Sequence, residues 1–172
     1  MPYLLSNLGN IISSLEHPAF TAISLLIHND IIFMLLLVFL ALLFERRTEK
    51  IKRIFLALFL GFIIASSLKH FIHSPRPCMI SAGAETWHPS KIPCPEGYSF
   101  PSMHATLAFI LMLAFINKPP YPVFWFFAVF VAFSRIYLGV HSLEDIGAGL
   151  VLSPIVYFIV GYMEVFYVSG KK

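Results

Sequence analysis

The sequence predicts an all-α membrane protein: a polytopic helical bundle with about five transmembrane helices and a further amphipathic helix at the N-terminus. Composition supports this fold class, because 58% of the 172 residues are hydrophobic and only 12% are charged, whereas an ordinary soluble domain carries about a quarter charged residues. The apolar residues also form long runs separated by short polar links. The length fits one domain, residues 1–172, and the net charge of +3 is too small to indicate nucleic acid as a partner.

Five apolar runs are long enough, or nearly long enough, to cross a bilayer. They lie at about residues 20–44, 54–72, 102–116, 123–140 and 146–168. A helix needs roughly 20 residues to cross a hydrocarbon core of about 30 Å. The third run is short by this measure, so it crosses either with Asn117 and Lys118 as an interfacial end or in locally thinned bilayer. The first run contains His28, Asn29 and Asp30, so its outer end faces either the interface or protein.

The first 17 residues predict a different kind of helix. Apolar residues follow helical spacing at Leu4, Leu5, Leu8, Ile11, Ile12 and Leu15, and serine and asparagine occupy the opposite face. This pattern is typical of a helix that lies in the membrane interface. The segment contains no lysine or arginine, so it lacks the charged start of a secretory signal peptide.

The distribution of basic residues predicts the orientation. The link between the first two runs carries Arg46, Arg47, Lys50, Lys52 and Arg53, whereas residues 1–45 contain no lysine or arginine. The positive-inside rule makes this link cytoplasmic. Lys118 and the terminal Lys171 and Lys172 then also lie inside. The segment 73–101 and the turn around His141 lie outside.

Both cysteines, Cys78 and Cys94, lie in this outer segment. In an oxidising compartment a disulfide between them would close a loop of about 15 residues and contribute roughly 3 kcal/mol in the chain-entropy model. Two free thiols are the alternative. We favour the bridge, because the segment is rich in proline and glycine and has little core of its own.

Ionisable residues gather in three short stretches, which the predicted topology places together on the outer side. They are residues 69–77 (KHFIHSPRP), 101–104 (PSMH) and 134–145 (SRIYLGVHSLED). The third and fifth spans begin on this side, near Ser102 and Ser142, and each start presents free backbone N–H groups and the positive end of a helix dipole. With Lys69, Arg76 and Arg135 nearby, these helix starts predict an anion site, and phosphate suits it best.

Each of these residues also has a purely structural interpretation. Lys69 and Arg135 end spans, where a cation satisfies carbonyls and reaches the headgroups. Ser102 can cap the third span, and Ser142 with Asp145 can form a capping box. His104 and His141 can be interfacial residues, as His70 and His73 are expected to be, and His17, His28 and His88 are assigned to the surface or to loops. These interpretations do not predict three cations, two histidines and an acid at one end of the bundle.

The three stretches closely resemble the signature of the type-2 phosphatidic acid phosphatase superfamily, the lipid phosphate phosphatases. Lys69 precedes Arg76-Pro77 at the family spacing, Pro101-Ser102-Met103-His104 gives the second element, and Ser134-Arg135, His141 and Asp145 give the third. One residue departs from the family pattern, because Met103 stands where the family usually has glycine. Glycine allows close backbone approach to a ligand, so the methionine changes the shape of the pocket and must turn its side chain toward lipid or the substrate tail.

The resemblance implies a phosphatase that works through a phosphohistidine. His141 would be the nucleophile, and Asp145 would fix its tautomer unless the capping box takes the carboxylate instead. His104 would be the general acid and then the base. Lys69, Arg76, Ser102, Arg135 and the backbone N–H of Met103 would bind the phosphate oxygens. No metal or other cofactor is expected, because three cations supply the neutralisation and the histidine spacing matches no zinc motif.

The resemblance also implies a phosphorylated membrane lipid as substrate, the bilayer as surroundings and no obligate protein partner. Small bacterial members of the family act on undecaprenyl pyrophosphate, phosphatidylglycerophosphate or the 1-phosphate of lipid A. The compact size and the short insert between the first two motifs look most like the lipid A 1-phosphatases. The expected location is therefore the bacterial inner membrane, with the active site on the periplasmic face. The segment 79–99, with Trp87 and Tyr98, is expected to shape headgroup access.

Three other functions are weighed against this one. A phospholipid-binding or transport protein would bind phosphate without hydrolysing it, although nucleophile, orienting acid and proton donor are all present. A vanadium haloperoxidase shares the anion pocket, but those enzymes are typically soluble and larger. A lipid phosphotransferase would pass phosphate from His141 to another lipid, and product analysis separates it from a phosphatase.

Overall fold

The computed structural model describes residues 2–80 and 90–169. Its α-helices are α1 (Pro2–Ser14), α2 (Pro18–His28), α3 (Asp30–Phe44), α4 (Thr48–Ile72), α5 (Met103–Ala114), α6 (Tyr121–Tyr137) and α7 (Leu143–Ser169), with a short 3-10 turn at Pro77–Met79. The described residues contain no β-strand. The predicted all-α fold class is therefore confirmed.

Helix α5 forms the centre of the bundle. All but two of its 12 residues are buried, and it packs against α4, α6 and α7. A helix that is apolar on every side is enclosed by other helices. Glycines at two crossings let the backbones approach closely. A Cβ on Gly61 of α4 would clash with Ile110, and a Cβ on Gly149 of α7 would lie 3.1 Å from the Ser102 carbonyl oxygen.

Length and composition qualify fewer helices as membrane spans than the five predicted runs. Among the described residues, Thr48–Met79 and Leu143–Glu164 are long and apolar enough to cross a membrane, and α2 with α3 makes a third if the bent pair is one span. Helices α5 and α6 are apolar but shorter. At about 1.5 Å per residue, α5 is only about 18 Å long, which agrees with the shortness expected of the third run.

The first apolar run, predicted as a single span, is broken at Asn29 into two helices. Helices α2 and α3 meet at 87°. Asn29 lies between them with φ −69° and ψ 117°, and its side-chain oxygen accepts hydrogen bonds from the N–H groups of Ile31 and Ile32. An asparagine that caps a new helix in this way ends the preceding one. Helix α2 therefore crosses the end of the bundle instead of continuing α3.

The N-terminal helix forms as the spacing predicted. Ile12 of α1 packs beside Tyr137, Leu138 and Val140, whereas Leu8, Ile11 and Leu15 are exposed. An apolar face left open in this way suits contact with lipid, and the interfacial position of the segment stays a prediction. The expectations for Trp87, His88, Lys171 and Lys172 fall outside the described residues.

A partly buried ion pair joins the two polar links at one end of the bundle. Lys118 Nζ lies 2.6 Å from Glu45 Oε2, and this hydrogen bond lowers the pKa of Glu45. The basic link that begins at Arg46 is at this end, whereas Lys69 is about 30 Å away near the other end of α4. That other end, where α5 and α7 begin, is called the site end below.

Candidate active site

The structure brings all three polar stretches together at the site end. Lys69 lies in the last turn of α4, Arg76 in the segment that follows, Ser102 and His104 at the start of α5, Arg135 in the last turn of α6, His141 in the α6–α7 turn and Asp145 in the first turn of α7. The polar residues thus converge as the predicted topology required.

His141 is held as a neutral ring whose lone pair is on Nε2. Its Nδ1 lies 3.2 Å from Asp145 Oδ2, and both side chains are nearly fully buried. The carboxylate accepts the Nδ1 proton, so the lone pair is left on Nε2. Arg76 Nη1 lies 3.5 Å from Nε2. Burial lowers the pKa of His141 to about 4, although Asp145 acts in the opposite direction, so the ring is uncharged at neutral pH.

Asp145 serves the helix and the ring at once. Its Oδ2 also accepts a hydrogen bond from Ser142 N at 2.9 Å, and Ser142 Oγ accepts one from Asp145 N at 3.3 Å. These two bonds are the capping box. The expectation that the carboxylate must choose between the box and the ring is wrong, because one oxygen accepts both donors. The second oxygen, Oδ1, accepts a hydrogen bond from Ser99 Oγ at 3.3 Å.

Lys69 and Arg76 bind backbone carbonyls and still present N–H groups. Lys69 Nζ donates to the carbonyls of Tyr98 and Ser99 at 2.8 and 2.9 Å, and the third ammonium hydrogen is uncommitted. Arg76 Nη1 donates to the Val140 carbonyl at 3.2 Å, whereas its buried Nε has no hydrogen-bond partner. A disulfide joins Cys78 to Cys94 in the segment that carries these contacts.

Two buried polar atoms at the start of α5 also have no hydrogen-bond partner. Ser102 is the N-cap residue, but its side chain makes no capping hydrogen bond and its Oγ is buried. The interpretation of Ser102 as a side-chain cap is therefore wrong. His104 Nε2 is likewise buried without a hydrogen bond. Buried polar groups are nearly always paired, so Ser102 Oγ, His104 Nε2 and Arg76 Nε together mark the place for a polar ligand.

Arg135, which was expected to bind phosphate oxygens, is also held in place by contacts within the protein. It is 1% exposed. Its Nη2 donates to the Ser24 carbonyl at 3.2 Å, its Nη1 lies 3.1 Å from His28 Nδ1, and its Nε donates to Ser134 Oγ at 3.3 Å. The guanidinium therefore ties α6 to α2. It still lies within electrostatic range of His104 and Arg76.

The α2–α3 corner supplies site residues that sequence reasoning missed. His28 was assigned to the surface or a loop, but it contacts Arg135 and its ring stacks 6.5 Å from that of His104. Asp30 Oδ1 lies 3.5 Å from His104 Nε2. The available signal was a polar triplet, His28-Asn29-Asp30, inside an apolar run. His17 lies exposed in the loop between α1 and α2, as expected, and its Nδ1 accepts a hydrogen bond from Phe20 N as the N-cap of α2.

Met103 turns toward α4, and not toward lipid or a substrate tail as expected. Its sulfur lies 4.0 Å from Ser66 Oγ, and the side chain packs on the main core. The backbone at this position therefore stays beside the site without the side chain filling it. Among the described residues, no three histidine, cysteine, aspartate or glutamate side chains are grouped as metal ligands would be.

Comparisons with known proteins agree with this geometry. The family model described as the PAP2 superfamily matches residues 50–167. The chain is similar to the crystal structure of Aquifex aeolicus LpxE, with 27% identity and a TM-score of 0.73 over 91% of this chain and 94% of that one. It is also similar to a transmembrane PAP2-type phosphatidylglycerolphosphate phosphatase from Bacillus subtilis, with 21% identity and a TM-score of 0.67 over 95% of this chain and 84% of that one. No curated protein sequence matches the chain.

Proposed function

The chain belongs to the PAP2 superfamily and is a membrane lipid phosphatase, and from this premise we propose that it hydrolyses its substrate through a phosphohistidine formed on His141. The observation that carries the proposal is the neutral ring of His141, with Nδ1 on a buried carboxylate and Nε2 directed at Arg76. A nucleophile needs a lone pair, and this hydrogen-bond pattern puts it on Nε2, where it accepts only a long hydrogen bond of 3.5 Å from Arg76.

In the first step, Nε2 of His141 attacks phosphorus and the bond from phosphorus to the lipid oxygen breaks. The departing oxygen takes a proton from Nε2 of His104, which lies at the same site and makes no hydrogen bond among the described residues. Asp145 stabilises the positive charge that the phosphorylated ring acquires. The products are the dephosphorylated lipid, neutral His104 and the phosphohistidine.

In the second step, water attacks the phosphohistidine. His104 removes a proton from the water, the phosphorus–nitrogen bond breaks and its electron pair returns to Nε2 of His141. Inorganic phosphate is released, and both histidines return to their starting protonation states. The same ring therefore acts as acid and then as base.

Charge neutralisation supports both steps. Lys69, Arg76 and Arg135 surround the site, and Ser102 Oγ with the N-terminus of α5 adds uncharged donors. Phosphoryl transfer depends chiefly on positioning and on neutralising the phosphoryl oxygens. We propose that these groups bind the oxygens without a metal.

For the substrate we propose the 1-phosphate of lipid A, in keeping with the compact chain and the short insert between its first two motifs. The coverage of LpxE, 94% of that chain at 27% identity, supports this choice over the second candidate, phosphatidylglycerolphosphate, which the Bacillus protein's title names at 21% identity. Undecaprenyl pyrophosphate is the third candidate. The proposed location is the bacterial inner membrane, with the site on the periplasmic face.

The test is phosphate release by the purified protein from these three lipids, with chelator present. We expect release from at least one lipid, loss to background in His141→Ala, and inhibition by vanadate, which takes the geometry of the attacked phosphoryl group. His70→Ala is the matched control, because His70 is exposed and outside the site. Release that survives His141→Ala would contradict the mechanism, and loss to chelator with recovery on zinc would contradict its metal independence. Phosphate found on a second lipid would indicate a phosphotransferase.

A further inference from the structure

The α2–α3 corner places a carboxylate beside the proton donor of the proposed mechanism. We propose that Asp30 is a positioning residue, which keeps the proton on Nε2 of His104 until the leaving lipid oxygen takes it. This inference rests on the proposed function. It concerns a residue outside the three polar stretches that carry the family signature.

The geometry around His104 involves one face of α3. Asp30 Oδ1 lies 3.5 Å from His104 Nε2, and the ring of Phe33, three residues further along α3, lies 4.4 Å from the His104 ring. Residues three apart share a helix face. Asn29 fixes the start of that helix through its capping hydrogen bonds to Ile31 and Ile32, so the position of Asp30 is set by the corner itself.

Charge explains why His104 needs this carboxylate. The titratable and charged groups that face the ring from other elements are His28 on α2, Arg135 on α6 and His141 in the α6–α7 turn. Each of these is cationic or becomes so on protonation, and like charges disfavour an imidazolium. A backbone hydrogen bond with Ile27 acts in the opposite direction and favours the protonated ring. Asp145 is already bound to His141 and Ser142. Among the described residues, Asp30 is the acid within ion-pair distance of His104.

The exposure of Asp30 fits its place beside His104, the proton donor, which must also release its proton. Its side chain is 71% exposed, whereas that of His104 is 8% exposed. Because the carboxylate is exposed, it can move aside when the lipid oxygen reaches Nε2. Asp30 is also within electrostatic range of Lys69, Arg76 and Arg135, so it lies beside the phosphate site and not on a remote surface.

The test compares a poor and a good leaving group. An alkyl phosphate, such as the lipid substrate, needs a proton on its departing oxygen, whereas p-nitrophenolate leaves without one. For Asp30→Asn we expect kcat/KM, which reports formation of the phosphohistidine, to fall about 10- to 100-fold on the lipid and less than about 3-fold on p-nitrophenyl phosphate. The alkaline limb of the lipid pH–rate profile should also move to lower pH, because the ring then loses its proton more readily.

Glu144→Gln is the matched control. It removes an exposed carboxylate from the first turn of α7 at the same end of the bundle, and we expect both substrates to be hydrolysed as by the unmodified protein. Equal losses on the two substrates in Asp30→Asn, or an increase in KM alone, would overturn the positioning role. If Asp30→Asn keeps the activity of the unmodified protein on both substrates while His104→Ala loses mainly the lipid reaction, this inference is overturned and the mechanism is left intact. A His104→Ala variant that loses both reactions equally would contradict the proposed mechanism itself.

Discussion

The two histidine–carboxylate pairs at the site end are built in different ways. His141 and Asp145 are four residues apart, and both side chains are at most 5% exposed. His104 and Asp30 come from different helices, and the carboxylate is 71% exposed. The first pair holds one tautomer in a dry environment, which suits a nucleophile. The second pair is exposed on its carboxylate side, which leaves Asp30 able to move when His104 gives up its proton and takes one back.

The largest effect is expected in the His141–Asp145 pair, here called the closed pair because both side chains are buried, and it is that of Asp145→Asn. An asparagine there stops stabilising the charged, phosphorylated ring and no longer imposes the tautomer with Nε2 free, so kcat should fall on the order of 100- to 10,000-fold. Phosphate release in the steady state measures this. Ser142→Ala is the control, because it removes one capping bond but leaves the ring contact, and it should cost stability of about 1 kcal/mol with little loss of kcat. Similar losses in the two variants would show that Asp145 serves the helix more than the ring.

The pH dependence of kcat/KM should show that the nucleophile of the closed pair stays neutral well below pH 6.5. Burial lowers the pKa of His141 to about 4, so the nucleophile stays neutral as the pH falls through 6.5 and kcat/KM should decline only toward pH 4. Steady-state assays, corrected for the lipid's own ionisation by phosphorus NMR, test this. A half-maximal loss near pH 6.5 would contradict it. The His141 ring takes up its proton near pH 6.5 in the unfolded chain and only near pH 4 in the folded protein. The free energy of unfolding should therefore decrease as the pH falls from 6.5 toward 4.

The smallest expected effect is on stability, and it concerns the α5–α7 contact, which sets the distance between His104 and the His141–Asp145 pair. Gly149 of α7 faces the start of α5, and a Cβ there would lie 3.1 Å from Ser102 O and 3.0 Å from Thr106 Oγ1. Gly149→Ala should therefore push α7, with Asp145, away from α5 and destabilise the protein by about 1–3 kcal/mol. Thermal unfolding in detergent measures this. Gly147→Ala is the control, because nothing lies within 4 Å of its added Cβ, and it should be neutral or stabilising by about 0.5–1 kcal/mol. Equal behaviour of the two variants would show that the α5–α7 contact is not tight.

The His141–Asp145 pair could be predicted from the sequence, and the His104–Asp30 pair could not. Four residues along a helix return a side chain to the same face, so the spacing of His141 and Asp145 was enough to pair them. Nothing in the sequence places Asp30 against His104, because that contact depends on where α2 turns into α3 and on how this corner packs. The sequence analysis placed this corner within a single apolar run, and its polar triplet His28-Asn29-Asp30 gave no angle between the two helices.

The order of the spans and the residues of the three polar stretches were determined by the sequence alone, because hydrophobic periodicity and local spacing act over short distances along the chain. The tertiary structure decided which of those groups already have partners: Arg135 is anchored on α2, whereas Ser102 Oγ has no hydrogen-bond partner among the described residues. It also added His28 and Asp30 to the site. Contacts between helices depend on packing angles, such as the 87° turn at Asn29, and such angles are set by the whole bundle.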